Sequence, residues 1–296
     1  MTAPGGRAAR VLGLMDPVDP SAQDAIARAF QLFLLFHVAV RTLLWAERGD
    51  DWLVARWLLA VVLAACAVVA WRDPARARAA AALAWAVLTI KLVASFPGTS
   101  NHFFIEYLCV GLLVLCDPRD AGERTLLLAA ARWLTVIVFF SSGLQKVLHG
   151  TYFDAQFLGF SISSKPSFAA LFGWMVPAAE MERLLALRAV GPGAGPYAIQ
   201  APLAVMVSNA TYLFELLAPA FLVLRRTRHA AALVTLAFVV AIEAGARELM
   251  FGALFVNLVL LFLDRPCNRT LLPLWAALFA VLIAVRIGLL PEFFFN

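Results

Sequence analysis

Long apolar runs separated by short polar breaks dominate this chain of 296 residues. A helix needs about 20 apolar residues to cross the hydrocarbon core of a bilayer, so each run predicts a membrane-spanning helix. Two of the runs are short for a full crossing. The pattern predicts nine spans, at 24–46, 52–71, 77–96, 101–116, 124–148, 199–224, 229–246, 249–264 and 271–290.

The breaks carry the residue types that interrupt helices. Pro, Gly, Asp and Arg collect in most of them, whereas only Arg247 and Glu248 divide the seventh span from the eighth. We therefore divide the chain into an N-terminal tail over 1–23, a transmembrane helical domain over 24–290 and a C-terminal tail over 291–296.

The connection over 149–198 is the one long loop between predicted spans. Its first part is rich in aromatic residues, and Phe168–Val190 is predicted to form an interfacial amphipathic helix or a re-entrant segment. Long loops in compact proteins often act as lids or binding elements. A connector that lies on the membrane fits the same pattern, and the sequence leaves both roles open.

Composition supports a membrane protein. Hydrophobic residues make up 63% of the chain, charged residues 15%, and the mean hydropathy is +0.85. Soluble domains average about half apolar and a quarter charged residues. The expected fold class is an all-α, polytopic transmembrane helix bundle. The net charge of +5 is spread over short loops, which argues against a nucleic-acid partner.

Basic residues set the predicted orientation, because Lys and Arg near span ends favour the cytoplasm. Counted along the sequence, twelve basic residues fall on the side of the N-terminus and five on the other side. The N-terminus is therefore predicted to be cytoplasmic and the long loop extracytoplasmic.

Under this orientation, ionisable and polar residues gather in the outer halves of the spans, while the inner halves are cleaner apart from Arg28 and Arg132. Snorkelling would place charges at both ends, and carboxylates are too short to snorkel well. We therefore favour an outward-opening polar pocket. Its candidate residues are Arg41, Lys91, Asn101, His102, Glu106, Lys146, His149 and Glu243, with Glu215 near the middle of its span.

Lys146 stands out because a cation near the end of an apolar helix is costly in hydrocarbon. On position alone, snorkelling is the simpler explanation. Ser142 precedes it by one turn, so a Ser/Lys pair is geometrically allowed, although packing is the commoner role of such serines. Glu215 could lock two helices through an ion pair, and His37 is expected to be a helix-contact residue rather than a ligand.

Other chemistries find little support in the sequence. The four cysteines form no C-x-x-C pair, which argues against a thiol–disulfide enzyme that reduces quinones. The four histidines lie in separate elements without H-E-x-x-H, and no Gly-rich phosphate loop is present. We expect no metal and no nucleotide.

Three local patterns resemble the HTTM family, which comprises the transmembrane part of vitamin K-dependent gamma-carboxylases and bacterial relatives. They are Ser142-Gly-Leu-Gln-Lys146, Asn101-His102 at the start of a short helix, and Phe214-Glu215-Leu-Leu-Ala-Pro219. The resemblance covers about residues 24–265. Each motif is short, so the specificity of the resemblance comes from the order and spacing of the three motifs. It implies a multi-pass protein of a bacterial inner membrane.

The resemblance also implies roles. Lys146 matches the lysine assigned as the base that deprotonates vitamin K hydroquinone, and Asn101-His102 match a pair placed near that quinone. Desolvation or a second cation, from Lys91, Arg41 or His149, could favour the neutral amine of Lys146, so that it can act as a base near neutral pH. The family's soluble substrate domain has no counterpart in this sequence, and Glu243 stands where many relatives have a His. Glutamate carboxylation of a peptide is therefore not expected.

Three function hypotheses follow. The leading one is a membrane enzyme with a pocket for a quinol or lipid-like substrate and Lys146 as the base. The second is a non-catalytic binding or partner subunit of the same fold, working with a separate soluble protein. The third is a small-molecule transporter, against which the lack of an inverted repeat counts.

Overall fold

The computed structural model describes residues 15, 22–46, 53–98, 101–190, 196–246 and 249–263, with residues 273, 274, 277, 280 and 284. Over these residues the fold is helical and contains no strand. The helices, in chain order, are α1 Gln23–Ala46, α2 Leu53–Arg72, α3 Ala77–Ser95, α4 Asn101–Leu115, α5 Ala121–His149, α6 Gln156–Ser164, α7 Pro166–Phe172, α8 Ala178–Val190, α9 Pro202–Val223, α10 Arg228–Ala246 and α11 Leu249–Val259.

The helices α1–α5 and α9–α11 lie at eight of the segments predicted as spans, with ends that differ by a few residues. Most of the ninth segment, 271–290, lies outside the described residues, as do most of the N-terminal tail, the C-terminal tail, Arg247 and Glu248. Within the described part of the chain, four helical segments are long and apolar enough to cross a membrane: Gln23–Thr42, Ala77–Ser95, Ala121–His149 and Pro202–Val223.

Several helices expose apolar faces while individual ionisable side chains are buried. Large apolar residues are exposed along whole helix faces, including Val54, Leu58 and Val61 on α2. Ionisable side chains are instead buried, among them Glu106 and Arg132, each 1% exposed. Soluble proteins rarely expose such extended apolar surface, whereas lipid tails match it. The exposed faces therefore suit a hydrocarbon environment.

Two tight turns begin with an Asp-Pro pair. Asp73 and Asp117 each accept a hydrogen bond from the backbone N–H two residues further on, at 3.0 and 2.9 Å. Asp120 then caps α5 by accepting from the backbone N–H of Glu123 at 2.8 Å. The hydrogen bond from the Arg119 guanidinium lowers the pKa of Asp117 to about 2. These polar turns end the apolar helices sharply.

The chain divides into two compact units, which share α5. The first comprises Met1–Thr135 with Leu249–Glu292, and the second comprises Val136–Glu248 with Phe293–Asn296. In the first unit, α1 packs on α2, α4 and α11, α2 packs on α3, and α3 packs on α4. In the second unit, α9 packs on α10, and the short helices α6–α8 pack among themselves and on α9 and α10.

The long loop is a small folded module rather than an extended connector. We call the described residues 151–190 and 196–201 the loop module. Phe168–Val190 is not one helix, because α7 ends in a 3₁₀ turn at Gly173–Met175 and α8 begins after Pro177. The module has its own apolar core, formed with the first turn of α9: Ala155, Leu158, Ile162, Phe168, Met175, Val176, Leu184, Ile199, Ala201 and Ala204.

Candidate functional site

The candidate site in the second unit lies where α5 and α9 approach each other. Gly143 lies against the main chain of α9, and a Cβ there would be 2.9 Å from the backbone nitrogen of Leu216. Only a glycine permits so close an approach of two helix backbones. One turn further along α5, this contact places Lys146 opposite Glu215.

Lys146 is held by partners inside the second unit. Its Nζ donates hydrogen bonds to the Glu215 carboxylate and, at 2.8 Å, to Ser142 Oγ. The Lys146 Nζ also lies 5.4 Å from the centroid of the Tyr152 ring. The Lys146 side chain is 18% exposed and that of Glu215 is 8% exposed. The ammonium therefore turns inward to a carboxylate, and snorkelling does not describe its position.

The ion pair joins two of the predicted site residues, Lys146 and Glu215. It also bears on the alternative role of Glu215, that of linking two helices. Glu215 does join two helices, as its alternative role required, and it does so through the candidate base. The serine predicted to share a face with Lys146 is also in contact with it. Two more candidates lie in this unit: His149 is exposed at the end of α5, and Glu243 is buried in α10.

The first unit contains a separate buried charged cluster. Oε1 of Glu106 on α4 lies 2.9 Å from Nε2 of His37 on α1 and accepts a charge-assisted hydrogen bond from Arg41. His37 is 0% exposed and Glu106 1%. An ionised carboxylate only accepts, so His37 Nε2 is the donor of its bond. The cluster ties α1 to α4.

A second cation lies next to this cluster. Lys91 on α3 is buried, and its Nζ donates to Thr42 Oγ1 at 3.4 Å. Arg41 and Lys91 both lie over the ring of Phe103, at 5.5 and 5.2 Å from its centroid. Cations over an aromatic face gain from the ring quadrupole. The Phe103 ring therefore contacts two of the predicted pocket residues, Arg41 and Lys91.

The predicted Asn-His pair begins α4. The His102 ring is 5.2 Å from the Phe251 ring of α11, and both residues belong to the first unit. The side chain of Asn101 lies outside the described part of the chain. His102 is half-buried against an aromatic ring.

The structure adds contacts that the sequence pattern does not specify. Glu106, a predicted pocket residue, bonds to His37, the expected helix-contact residue, and a carboxylate too short to snorkel already requires such a partner. Ser142, for which packing is the commoner role, contacts Lys146, and Tyr152 of the aromatic loop segment lies beside it. Nothing in the sequence indicates that the loop folds back to place Tyr152 over Lys146.

The arrangement in the second unit is suited to proton transfer. A carboxylate and an amine in contact can exchange a proton, and a hydroxyl side chain orients the amine. Among the described residues, no group of three or more His, Cys, Asp or Glu could hold a metal ion. Cys66, Cys109 and Cys116 are free and buried, consistent with small packing residues.

Comparisons with family models, with curated proteins and with solved structures return no match for this chain.

Proposed function

We propose that this chain is an integral membrane protein that takes a quinol or a similar lipid-like amphiphile at Lys146 and removes a proton from its hydroxyl group. The observation that carries the proposal is the contact of Lys146, near the end of an apolar helix, with both Glu215 and Ser142. Ionisable groups in such surroundings cost free energy and commonly serve a function.

Hydropathy and charge bias support the membrane part of the proposal. Nine spans, a cytoplasmic N-terminus and an extracytoplasmic loop module follow from the apolar runs and the excess of Lys and Arg on one side. The resemblance to the HTTM family adds a bacterial inner membrane as the location. The exposed apolar faces of the helices agree with a lipid surround.

In the proposed chemistry, Glu215 holds a proton of Lys146 while the lysine acts as a base. Glu215 accepts the proton of the Lys146 ammonium, which leaves a neutral amine held by Ser142. The hydroxyl O–H bond of the substrate then breaks, its proton moves to the amine, and the electron pair stays on the substrate oxygen. The re-formed ammonium is stabilised by the Tyr152 ring and sits beside the new oxyanion.

A substrate with an aromatic ring fits these surroundings. Tyr152 stacks on Phe157, with ring centroids 5.0 Å apart and planes inclined by 15°. Flat aromatic faces beside a base suit a hydroquinone, whose body is apolar and whose hydroxyls are acidic. His149 and Glu243, which belong to the same unit as Lys146, are proposed as further pocket residues on the strength of the sequence pattern.

A non-catalytic binding subunit is the second candidate function. It is favoured by the same ion pair, because Lys146 and Glu215 also join α5 to α9 and could serve as a structural lock. Such a subunit would present the pocket to a separate soluble protein. The two functions differ in whether Lys146 must lose its proton.

Three variants separate the two functions in an assay of quinol oxidation with the purified protein in nanodiscs. Dissolved dioxygen is the electron acceptor, and it oxidises a deprotonated quinol faster than a neutral one. Lys146→Ala removes the base, Lys146→Arg keeps a cation that does not deprotonate, and the exchange Lys146→Glu with Glu215→Lys restores an ion pair in reverse. A catalytic lysine predicts loss of turnover in the alanine and arginine variants with unchanged thermal stability in the arginine variant.

Wild-type rates in the arginine variant would remove Lys146 as the base. A wild type that binds quinone but never turns over, with folding rescued by the charge exchange, would establish the binding-subunit function instead. Lys165→Ala is the matched control, because Lys165 is a lysine of the same unit that donates to a main-chain carbonyl, that of Ala246.

A further inference from the structure

The loop module packs alongside the N-terminal half of α9 rather than beyond its end. Ser208 donates to the carbonyl oxygen of Tyr152 at 2.9 Å, and Asn209 donates to that of Phe153 at 3.0 Å. Ala201 and Ala204 belong to the core of the module. Residues 201–209 of α9 therefore run at the same level as the module.

The level of the ion pair shows how far this stretch extends. The part of α9 on the N-terminal side of Glu215 comprises residues 202–214. At 1.5 Å per residue it is about 20 Å long. Beyond Lys146, α5 continues only to His149, about 5 Å. The loop module occupies the length that α5 leaves free next to α9.

The outer face of α9 is apolar over its whole length, including the part beside the module. Its exposed large side chains recur with helical spacing: Leu203, Met206, Leu213, Leu217, Phe221 and Leu224. From the first to the last of these positions the helix rises about 32 Å, close to the thickness of a hydrocarbon core. The stripe that lipid would cover thus extends to the residues that hold the module.

The module itself presents aromatic side chains outward. Phe153, Phe157 and Phe160 are exposed, and Trp174 is 74% exposed. Phe157 and Phe160 lie one turn apart on α6 and share a face. Aromatic rings concentrate at the level of the lipid headgroups, where an apolar body and a polar environment meet.

The two arginine side chains of the module are bonded to its main chain. Arg188 donates to the carbonyls of Ser163 at 2.6 Å and Ile162 at 3.2 Å, which are orphaned at the C-terminal end of α6. Arg183 donates to the carbonyls of Pro196 and Ala198. In water such carbonyls need no side-chain partner, whereas in a membrane they must be satisfied from within.

Two further bonds close the end of α10 against the module. Ser167 Oγ donates to the carbonyl of Gly245 at 2.7 Å, and Lys165 Nζ donates to that of Ala246 at 3.4 Å. Gly245 lies against the Phe168 and Phe172 rings, and a Cβ there would come within 2.9 Å of Phe172. The carbonyls at the end of α10 that lack a partner within the helix are therefore bonded by side chains of the module.

We propose that the loop module is embedded in the bilayer leaflet reached by the N-terminal half of α9, with Phe157, Phe160 and Trp174 in contact with lipid. The occupant of this aromatic surface is the lipid bilayer itself. The inference rests on the membrane part of the proposed function and not on Lys146 acting as a base. It gives a lipid-soluble substrate a route to Lys146 from the leaflet.

Nitroxide labels on single cysteines test this placement in the full-length protein. Cys66, Cys109, Cys116 and Cys267 are first replaced by serine, and Phe157→Cys, Phe160→Cys and Trp174→Cys are introduced one at a time. The protein is reconstituted in phosphatidylcholine–phosphatidylglycerol nanodiscs, and collisions of each label with oxygen and with a water-soluble nickel chelate are measured. The references are Leu213→Cys for lipid and Glu182→Cys on α8 for the aqueous side.

Embedding predicts that the oxygen-to-nickel collision ratio at the three aromatic positions matches Leu213→Cys and exceeds Glu182→Cys several-fold. A ratio equal to that of Glu182→Cys would place the surface in water and overturn the proposal. Labels shielded from both reagents would show that a second copy or another protein covers the surface, and would also overturn it. None of these outcomes depends on turnover, so a failure here is distinct from a failure of the proposed chemistry.

Discussion

Arginine side chains in this molecule bind main-chain carbonyls at helix ends. Arg228, 1% exposed, donates to the carbonyls of Leu222 and Val223 at the C-terminal end of α9. Arg132 donates to the carbonyls of Leu261 and Met15, and Arg78 donates to that of Val114. A guanidinium carries five N–H donors and stays charged, so it satisfies several orphan carbonyls at once.

Arg228→Met is expected to destabilise the protein by about 2–6 kcal/mol, because the carbonyls of Leu222 and Val223 lose their donor at about 1–3 kcal/mol each. The matched control is Arg226→Met two residues earlier, where the side chain is exposed and the expected change is below about 0.5 kcal/mol. Thermal unfolding in detergent measures both. Equal melting temperatures for the two variants would show that Arg228 has no such structural role.

The cluster of His37, Arg41 and Glu106 makes a second prediction for single residues. Glu106→Gln removes the carboxylate that His37 and Arg41 share, and breaking a buried pair typically costs about 3–5 kcal/mol. The exposed pair of Arg28 and Asp24 is the control, since Arg28→Gln should change stability by no more than about 1 kcal/mol. A tolerated Glu106→Gln would mean that the cluster is not charged as described.

At the scale of elements, close helix contact depends on glycine. A Cβ at Gly159 would lie 1.9 Å from the carbonyl oxygen of Tyr197, and one at Gly143 would lie 2.9 Å from the backbone nitrogen of Leu216. Both neighbours are main-chain atoms that cannot rotate away. These two glycines set how closely α6 meets the end of the loop module and how closely α5 meets α9.

Gly143→Ala is therefore expected to push α5 from α9 and to cost about 1–3 kcal/mol, the usual penalty of overpacking. It should also loosen the contact of Lys146 with Glu215, so quinol turnover would fall together with stability. Gly98→Ala is the control, because the nearest atom to its new Cβ is Ser95 O at 3.5 Å, an ordinary contact. Melting temperatures that are unchanged in both variants would refute the close approach.

The positions of the helices could be predicted from the sequence, but their pairing could not. Apolar runs and Asp-Pro turns mark α1–α5 and α9–α11 because each helix must be apolar and each break polar. The partner of Lys146 depends on how far α9 extends past α5, and no local pattern records that distance. A segment with as many aromatic residues as 151–161 also gives no sign that it belongs to a folded module.

Charges mislead sequence reasoning for a related reason. Arg183 and Arg188 were counted as loop charges that set orientation, whereas the structure uses both to hold main-chain carbonyls. A basic residue near a helix end has the same sequence signature in either role. Both arginines belong to the side with five basic residues. Leaving them out of the count therefore increases the excess of basic residues on the side of the N-terminus.

At the scale of the whole molecule, the proposed orientation requires the two ends of α9 to lie on opposite sides of the membrane. The turn after α9 contains Arg225 and Arg226, both exposed, and the module before it exposes Glu182. Single cysteines at Arg226 and Glu182, in the cysteine-free background, should react differently with a membrane-impermeant maleimide. In intact spheroplasts we expect labelling of Glu182→Cys alone, and labelling of Arg226→Cys only after the membrane is opened. The reverse pattern would invert the topology while leaving α9 as a span, and labelling of both cysteines from one side would mean that α9 does not cross.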